Sequence, residues 1–356
     1  MKTHMHVQLS QCGFSLVEIM VSTVVALFAT LAIFQSFAVS ESYRRTSTAG
    51  GDASFSGALA TAVLDRDVKM AGYGINTAAY LGCTVSGSEA GPPVAAISFT
   101  LAPAVITPGT GNAPDSVTIL ASNTGMMPGA ISFTAPMSSP TDNYTVTDAY
   151  GVTANDLLIL AQTGLGCTLV EATNTPTNAG SAQNVVKHAT ARYNPSGGIG
   201  PTYSTGAVMM DMGPTPIANT YRIQNNTLVV DQLIANQTGV PVAANVVQLK
   251  AYYGKSSTGN GIVDTWDQVA PTNWANVLAI RIALVARSAQ PEKAPTPGGT
   301  CTTTSASPTV TWDDSNQGTV TLDVSGSAPT GPAWQCYRYR VFHVTSSLRN
   351  QIWTPS

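Results

Sequence analysis

A long uncharged stretch near the start of the chain is the strongest hydrophobic pattern in the sequence. Ile19–Ser40 contains 22 positions without a charged side chain, which is the length that a helix needs to cross the hydrocarbon core of a bilayer. An ordinary secretory signal peptide is the alternative. The stretch is long for such a peptide, begins beside the carboxylate Glu18, and continues helically past its end. It therefore predicts a membrane-spanning helix over about residues 19–40.

The helical pattern continues beyond the apolar stretch. Arg44 and Arg45 mark the expected boundary with water. Apolar side chains then recur at helical spacing and predict one stripe that packs against a sheet: Phe55, Leu59, Val63 and Met70. Charged residues of the same segment are predicted to form a solvated face: Asp65, Arg66, Asp67 and Lys69. Gly72 and Gly74 predict the end of a helix that starts at residue 14.

The rest of the chain, residues 73–356, predicts antiparallel strands separated by turns. Short β-branched runs lie between clusters of Gly, Pro, Asn and Ser: Ser116–Leu120, Leu157–Leu160, Thr227–Val230, Val246–Tyr253, Val277–Val285, Thr319–Val324 and Tyr337–Val344. Gly91–Pro140 and Ser288–Pro308 are predicted to be loops or insertions. The expected fold class is α+β, with a long N-terminal helix packed on antiparallel sheet.

Composition and charge narrow the function classes. Charged residues make up 10% of the chain and hydrophobic residues 44%, which is typical of a folded extracellular β-rich protein. The net charge of −3 provides no basic field that would attract nucleic acid. Motifs of the serine hydrolases, zinc proteases and P-loop enzymes do not occur in the sequence. We therefore expect a protein that is not an enzyme, needs no cofactor and binds no nucleic acid.

The segment in front of the apolar stretch carries a short motif. Gly13, Phe14 and Glu18 occur in the run Gly13-Phe-Ser-Leu-Val-Glu18, which resembles the prepilin motif of type IV pilins and type II secretion pseudopilins. The resemblance implies that prepilin peptidase removes residues 1–13 and that the new N-terminal Phe14 is methylated. It also implies that Glu18 pairs with the N-terminal amine of a neighbouring subunit, since two charges in lipid cost less when they are paired.

Segments near the C-terminus are similar to the PilW family of minor pilins. The similarity covers Val246–Trp266, Val277–Ser288 and Tyr337–Asn350. Asp65–Gly74 fits the same family. PilW proteins are in turn similar to GspJ-type minor pseudopilins. The family resemblance implies other minor pilins, the major pilin, prepilin peptidase and a tip adhesin as partners. Residues from about 84 to 220 are not placed by it.

The number of cysteines is typical of an exported protein that contains disulfides. Removal of Cys12 with the leader leaves four cysteines, which permit up to two disulfides in three pairings: Cys83, Cys167, Cys301 and Cys336. Proximity in sequence favours Cys83 with Cys167 and Cys301 with Cys336, and buried free thiols are the alternative. A weak calcium candidate lies at Asn260, Asp264 and Asp267, where oxygen donors surround a glycine turn. The run has few carboxylates, so a hairpin turn without metal is expected.

Together these patterns predict a minor pilin that primes type IV pilus assembly, at the pilus tip, and supports twitching motility. The expected location is the inner membrane, crossed once with the C-terminus in the periplasm, followed by the extracellular pilus. A minor pseudopilin of a type II secretion system is the nearest alternative, because it shares the motif and the architecture. An alternative of another class is a surface-binding or adhesion module that uses the Ser-, Thr- and Gly-rich loops.

Overall fold

A computed structural model describes residues 13, 15–75, 77–90, 95–125, 129–177, 184–294, 296, 298–312, 318–328, 332–348 and 350. The chain divides into two compact units, Met1–Gly50 and Gly51–Ser356. Helix α1, Leu16–Met70, begins in the first unit and ends in the second. Antiparallel-rich sheets follow it, so the predicted α+β class is confirmed.

Helix α1 ends just before two glycines, Gly72 and Gly74. Gly72 and Gly74 have φ angles of +80° and +79°, a left-handed conformation that glycine adopts without steric cost. The Gly72 N–H donates to the Leu120 carbonyl oxygen at 2.8 Å. The chain therefore turns directly from the helix onto a strand of the second unit.

The predicted stripe and solvated face of α1 are wrong in part. Phe55 is 72% exposed, and Leu59 and Met70 are also exposed. The buried stripe consists instead of small residues with a few larger ones: Ala53, Gly57, Ala60, Leu64, Val68 and Ala71. Asp67 lies beside that stripe and is 1% exposed, whereas it was expected to face water. Small side chains bring the helix backbone close to the sheet, which a stripe of large residues would prevent.

In the described part of the chain, nineteen strands follow α1. The first ten are β1 Thr84–Glu89, β2 Ala95–Thr100, β3 Ala104–Thr107, β4 Ser116–Ala121, β5 Ile131–Ser132, β6 Tyr144–Thr145, β7 Leu157–Gln162, β8 Gly166–Glu171, β9 Val185–Val186 and β10 Val208–Gly213. The others are β11 Ile217–Gln224, β12 Thr227–Gln232, β13 Gln237–Ala244, β14 Val246–Lys255, β15 Thr265–Asp267, β16 Val277–Arg287, β17 Thr309–Thr311, β18 Thr319–Thr321 and β19 Tyr339–Ser347.

These strands form three larger sheets and two sheets of two strands each. Their orders are β2-β1-β8-β7-β10-β5, β13-β12-β11-β4-β3 and β15-β14-β16-β19, with β17-β18 and β6-β9 as two-stranded sheets. Among the described strands the pairing is antiparallel except between β1 and β8. All seven predicted strands occur, with shifts of a few residues at their ends. The prediction of loops over Gly91–Pro140 is wrong in part, because β2, β3 and β5 also lie there.

The second half of α1 packs on two of the sheets. Ala60, Leu64 and Val68 share one hydrophobic core with residues of the five-stranded and four-stranded sheets. On the opposite face of the four-stranded sheet, the hairpin β17–β18 buries Val310 and Leu322 in a second core. The four-stranded sheet is therefore covered by α1 on one face and by this hairpin on the other.

The six-stranded sheet carries two further cores, and most of their residues lie between β1 and β10. In one of them Tyr144 stacks on His188, with ring centroids 4.3 Å apart. His188 Nε2 donates to the Asp142 carbonyl oxygen at 2.7 Å. Burial lowers the pKa of His188, so the neutral imidazole is the stable form inside this core.

Helix α1 approaches the four-stranded sheet closely at Gly57. A Cβ atom built on Gly57 would overlap the ring of Phe342 on β19. A Cβ atom on Gly51, one and a half turns earlier in the helix, would meet no atom within 4 Å. Gly57 is therefore required for contact with the sheet, and Gly51 is not.

We expect Gly57→Ala to destabilise the protein by about 1–3 kcal/mol, because the added methyl group overpacks the helix–sheet contact. Gly51→Ala is the matched control and should be neutral or stabilising by up to about 1 kcal/mol, since alanine favours the helix. Urea unfolding of the full chain in detergent micelles measures both. Phe342→Val should restore part of the stability lost in Gly57→Ala. Equal stability of the two alanine variants would contradict the close packing.

Candidate assembly interface

The predicted processing site lies at the start of the described chain. Phe14 and residues 1–12 lie outside the described residues; Gly13 and Ser15 are exposed. Glu18 lies in the first turn of α1 and is exposed. A carboxylate in that turn is favourably placed for the helix dipole. Among the described residues no side chain pairs with Glu18, so its carboxylate is accessible to another molecule.

The first unit exposes an apolar helix surface. Large side chains of α1 between Leu16 and Val39 are 52–74% exposed, and they occur on all sides of the helix. A helix that is apolar all round is stable only in an apolar environment. In the described part of the chain, α1 is the one helix long and apolar enough to cross a membrane. The helix therefore suggests membrane anchoring.

Asp67 and Tyr221 join α1 to the five-stranded sheet inside the second unit. The Tyr221 hydroxyl on β11 donates a hydrogen bond to Asp67 Oδ2, and both residues are buried. The Arg66 guanidinium, largely exposed, contacts Asp67 Oδ1 at 2.8 Å. Burial raises the pKa of Tyr221, and the Asp67 carboxylate raises it further, so the phenol remains a donor. The same carboxylate raises the pKa of Arg66.

This cluster was missed in the sequence because Asp67 stands in a charged run. A signal was nevertheless present in the helical spacing. Asp67 follows Ala60 and Leu64 at intervals of seven and three residues, which places it on the same face of a helix as both. An acidic residue on a face of small apolar residues indicates a buried partner, although the sequence does not identify that partner as Tyr221.

Both disulfides that proximity favoured are present: Cys83 with Cys167, and Cys301 with Cys336. The first joins the start of β1 to β8, where the parallel pairing extends over two residue pairs. The second fastens the segment after β16 to the short helix Trp334–Cys336 in front of β19. Each bond therefore crosslinks segments that are far apart in sequence, by 84 and 35 residues.

We expect replacement of either pair by alanine to lower the free energy of unfolding, by about 4.5 kcal/mol for the 84-residue separation and about 4 kcal/mol for the 35-residue one. Urea unfolding of the full chain measures both. Limited proteolysis adds a test of location, because the loss of Cys301–Cys336 should expose Ser288–Pro308 to cleavage before the strands. Unchanged stability in both double variants would contradict a structural role for the bonds.

The weak calcium candidate lies at the hairpin of β14 and β15, with Asn260 and Asp264 in the connection and Asp267 at the end of β15. Asp264 accepts hydrogen bonds from the backbone and hydroxyl of Ser257. Asn260 accepts from Ser256, and Asp267 pairs with Lys255 at 2.6 Å. Each of the three side chains is thus engaged with a different protein group. In the described part of the chain no cluster of three His, Cys, Asp or Glu side chains is arranged to hold a metal ion.

The match to known families falls on the four-stranded sheet and the strands that precede it. Residues 218–350 match the PilW family, type IV pilus-assembly protein W. This match points to type IV pilus assembly. No curated protein and no solved structure matches the chain.

Two contacts of α1 have one partner inside the segment that matches PilW and the other partner on the helix, outside that segment. Tyr221 and Phe342 lie inside it, whereas their partners Asp67 and Gly57 lie outside it on the helix. The strands β12 to β19 also lie inside it. The PilW segment therefore supplies most strands of the platform on which the second half of α1 packs, and β3 and β4, which lie outside the match, complete it.

Proposed function

We propose that this chain is a minor pilin that primes type IV pilus assembly and occupies the pilus tip. The PilW match over residues 218–350 carries the proposal. An apolar helix with Glu18 in its first turn supports it, because such a helix anchors a subunit in the membrane and is retained after assembly. Other minor pilins and the major pilin are the proposed partners, and a tip adhesin is a further one.

Processing is part of the same proposal. Prepilin peptidase cuts after Gly13 and exposes Phe14, which is then methylated. Before assembly the subunit is anchored in the inner membrane. Its helix crosses the membrane once, and its C-terminal part lies in the periplasm. Glu18 pairs with the N-terminal amine of the neighbouring subunit during extraction from the bilayer. The pairing replaces two separate charges in lipid by one ion pair, which lowers the cost of keeping them there.

Deletion of the chain in its native host tests the proposal. We expect loss of surface pili and of twitching, with type II secretion unchanged, and recovery of the tagged chain in a complex with other minor pilins. Loss of secretion with normal pili would instead identify a pseudopilin. Normal pili and motility with loss of surface attachment would identify an adhesion module. Either outcome would overturn a priming role.

A further inference from the structure

Strand β19 ends the four-stranded sheet with one side unpaired. It pairs with β16 from Tyr339 to Ser347 in a ladder without a bulge. In the described part of the chain no strand pairs with its other side. An unprotected edge strand of this length is a template for a strand from another chain.

The hydrogen bonds at both ends of the ladder determine which backbone groups face outward. Leu348 N–H donates to the Leu278 carbonyl oxygen, and Ser288 N–H donates to the Arg338 carbonyl oxygen, each at 2.8 Å. Antiparallel ladders alternate between residues that bond to the partner strand and residues that point away from it. The outward set therefore consists of Tyr339, Val341, His343, Thr345 and Ser347. Among the described residues none of their amides or carbonyls has a backbone partner.

Packing holds this edge in place from both faces. Phe342 lies against α1 at Gly57, and Val341 packs on the core beneath the β17–β18 hairpin. Each flat face of β19 is thus packed in part, with Arg340, His343, Thr345 and Ser347 exposed, and its outer edge is left for contact. The edge strand β13, by contrast, contains Pro241 and irregular pairing, two devices that discourage strand addition.

Charge on the edge indicates what kind of strand it accepts. Arg338 and Arg340 lie along it, and Arg338 also pairs with Glu292. Two copies joined through β19 in antiparallel fashion would bring two positive edges together. A strand with acidic side chains from a different subunit would instead bring opposite charges together.

We propose that the outer edge of β19 accepts an acidic, extended edge strand of a neighbouring pilus subunit by strand addition. The inference rests on the proposed role in pilus assembly. The sheet topology supports the orientation: β15, at the opposite edge, runs antiparallel to β19. A neighbour with the same sheet architecture and the same helix direction therefore presents an antiparallel strand to β19.

Proline at Thr345 tests the backbone contact directly. Thr345→Pro removes an outward N–H and leaves the bonds to β16 in place, because proline is tolerated at such positions of edge strands. Thr345→Ala is the matched control, since it keeps that N–H. We expect the fraction of the full chain recovered in sheared pili to fall at least about tenfold for Thr345→Pro and to stay unchanged for Thr345→Ala. Wild-type recovery of Thr345→Pro would overturn strand addition.

A second variant and a second measurement guard against misfolding of the proline variant. Arg340→Glu leaves the backbone intact and should lower recovery, because it repels an acidic strand. In the unaltered protein, amide hydrogen exchange across β19 should slow in assembled pili relative to the free chain in detergent. Equal exchange in both states would also overturn the proposal. Normal assembly of Glu18→Ala would instead refute the proposed function, so the two failures are distinguishable.

Discussion

Glu18→Ala should lower incorporation of the chain into pili by about 30-fold or more. Without the carboxylate, the positive amine of the neighbouring subunit stays unpaired in the bilayer, which costs about 2–3 kcal/mol, and each 1.4 kcal/mol is about tenfold in an equilibrium. The second unit, Gly51–Ser356, should keep its fold, because Glu18 lies outside it. The amount of the chain in sheared pili, relative to the membrane fraction, measures the effect.

Ser22→Ala is the control for Glu18→Ala. Ser22 lies one turn further along α1, is exposed, and donates its hydroxyl to the Ile19 carbonyl oxygen of the same helix at 2.9 Å. Its replacement removes a polar group from the apolar segment without removing a charge, so incorporation should be unchanged. Equal recovery of Glu18→Ala and Ser22→Ala would show that the carboxylate has no role in assembly.

Asp67→Ala should be the most destabilising single replacement of a charged residue on α1. It leaves the buried Tyr221 hydroxyl without its acceptor and removes the ion pair with Arg66. We expect a loss of about 2–3 kcal/mol and a fall in Tm of about 3–5 °C for a folded unit of this size. Thermal unfolding of the full chain in detergent micelles measures both quantities.

The Asp67 prediction has a partner variant and a control. Tyr221→Phe should cost less than Asp67→Ala, and the double variant should cost less than the sum of the two, because one contact is lost twice. Asp65→Ala removes a largely exposed pair with Lys69 and should change stability by less than about 0.5 kcal/mol. Additive effects of Asp67→Ala and Tyr221→Phe would contradict a direct contact between the two residues.

The sequence predicted the elements of this fold better than their contacts. A run of uncharged residues, glycines after Met70 and β-branched runs such as Val277–Val285 are local signals, and the structure has a helix and strands at those places. The buried face of α1 was mistaken because large apolar residues normally identify the core. In α1 small residues form the buried face instead. The helix backbone lies so close to the Phe342 ring that a Cβ atom on Gly57 would overlap it.

The residues of the candidate interface also differ in how far the sequence alone indicates them. Gly13, Phe14 and Glu18 form a motif in consecutive sequence, so the sequence alone indicates them. Asp67 depends on Tyr221, which is 154 residues away. The free edge of β19 depends on the order of strands in the sheet, which is a property of the whole fold. Long-range pairings of this kind leave no local pattern.

Mass spectrometry of the chain recovered from sheared pili tests the central claim most directly. The account predicts that residues 1–13 are absent and that the N-terminal residue is Phe14, heavier by one methyl group. It also predicts that the intact polypeptide extends onward from Phe14 with α1 retained. A chain that keeps Met1, a chain cut beyond the apolar stretch, or absence of the chain from pili would contradict its processing as a pilus subunit.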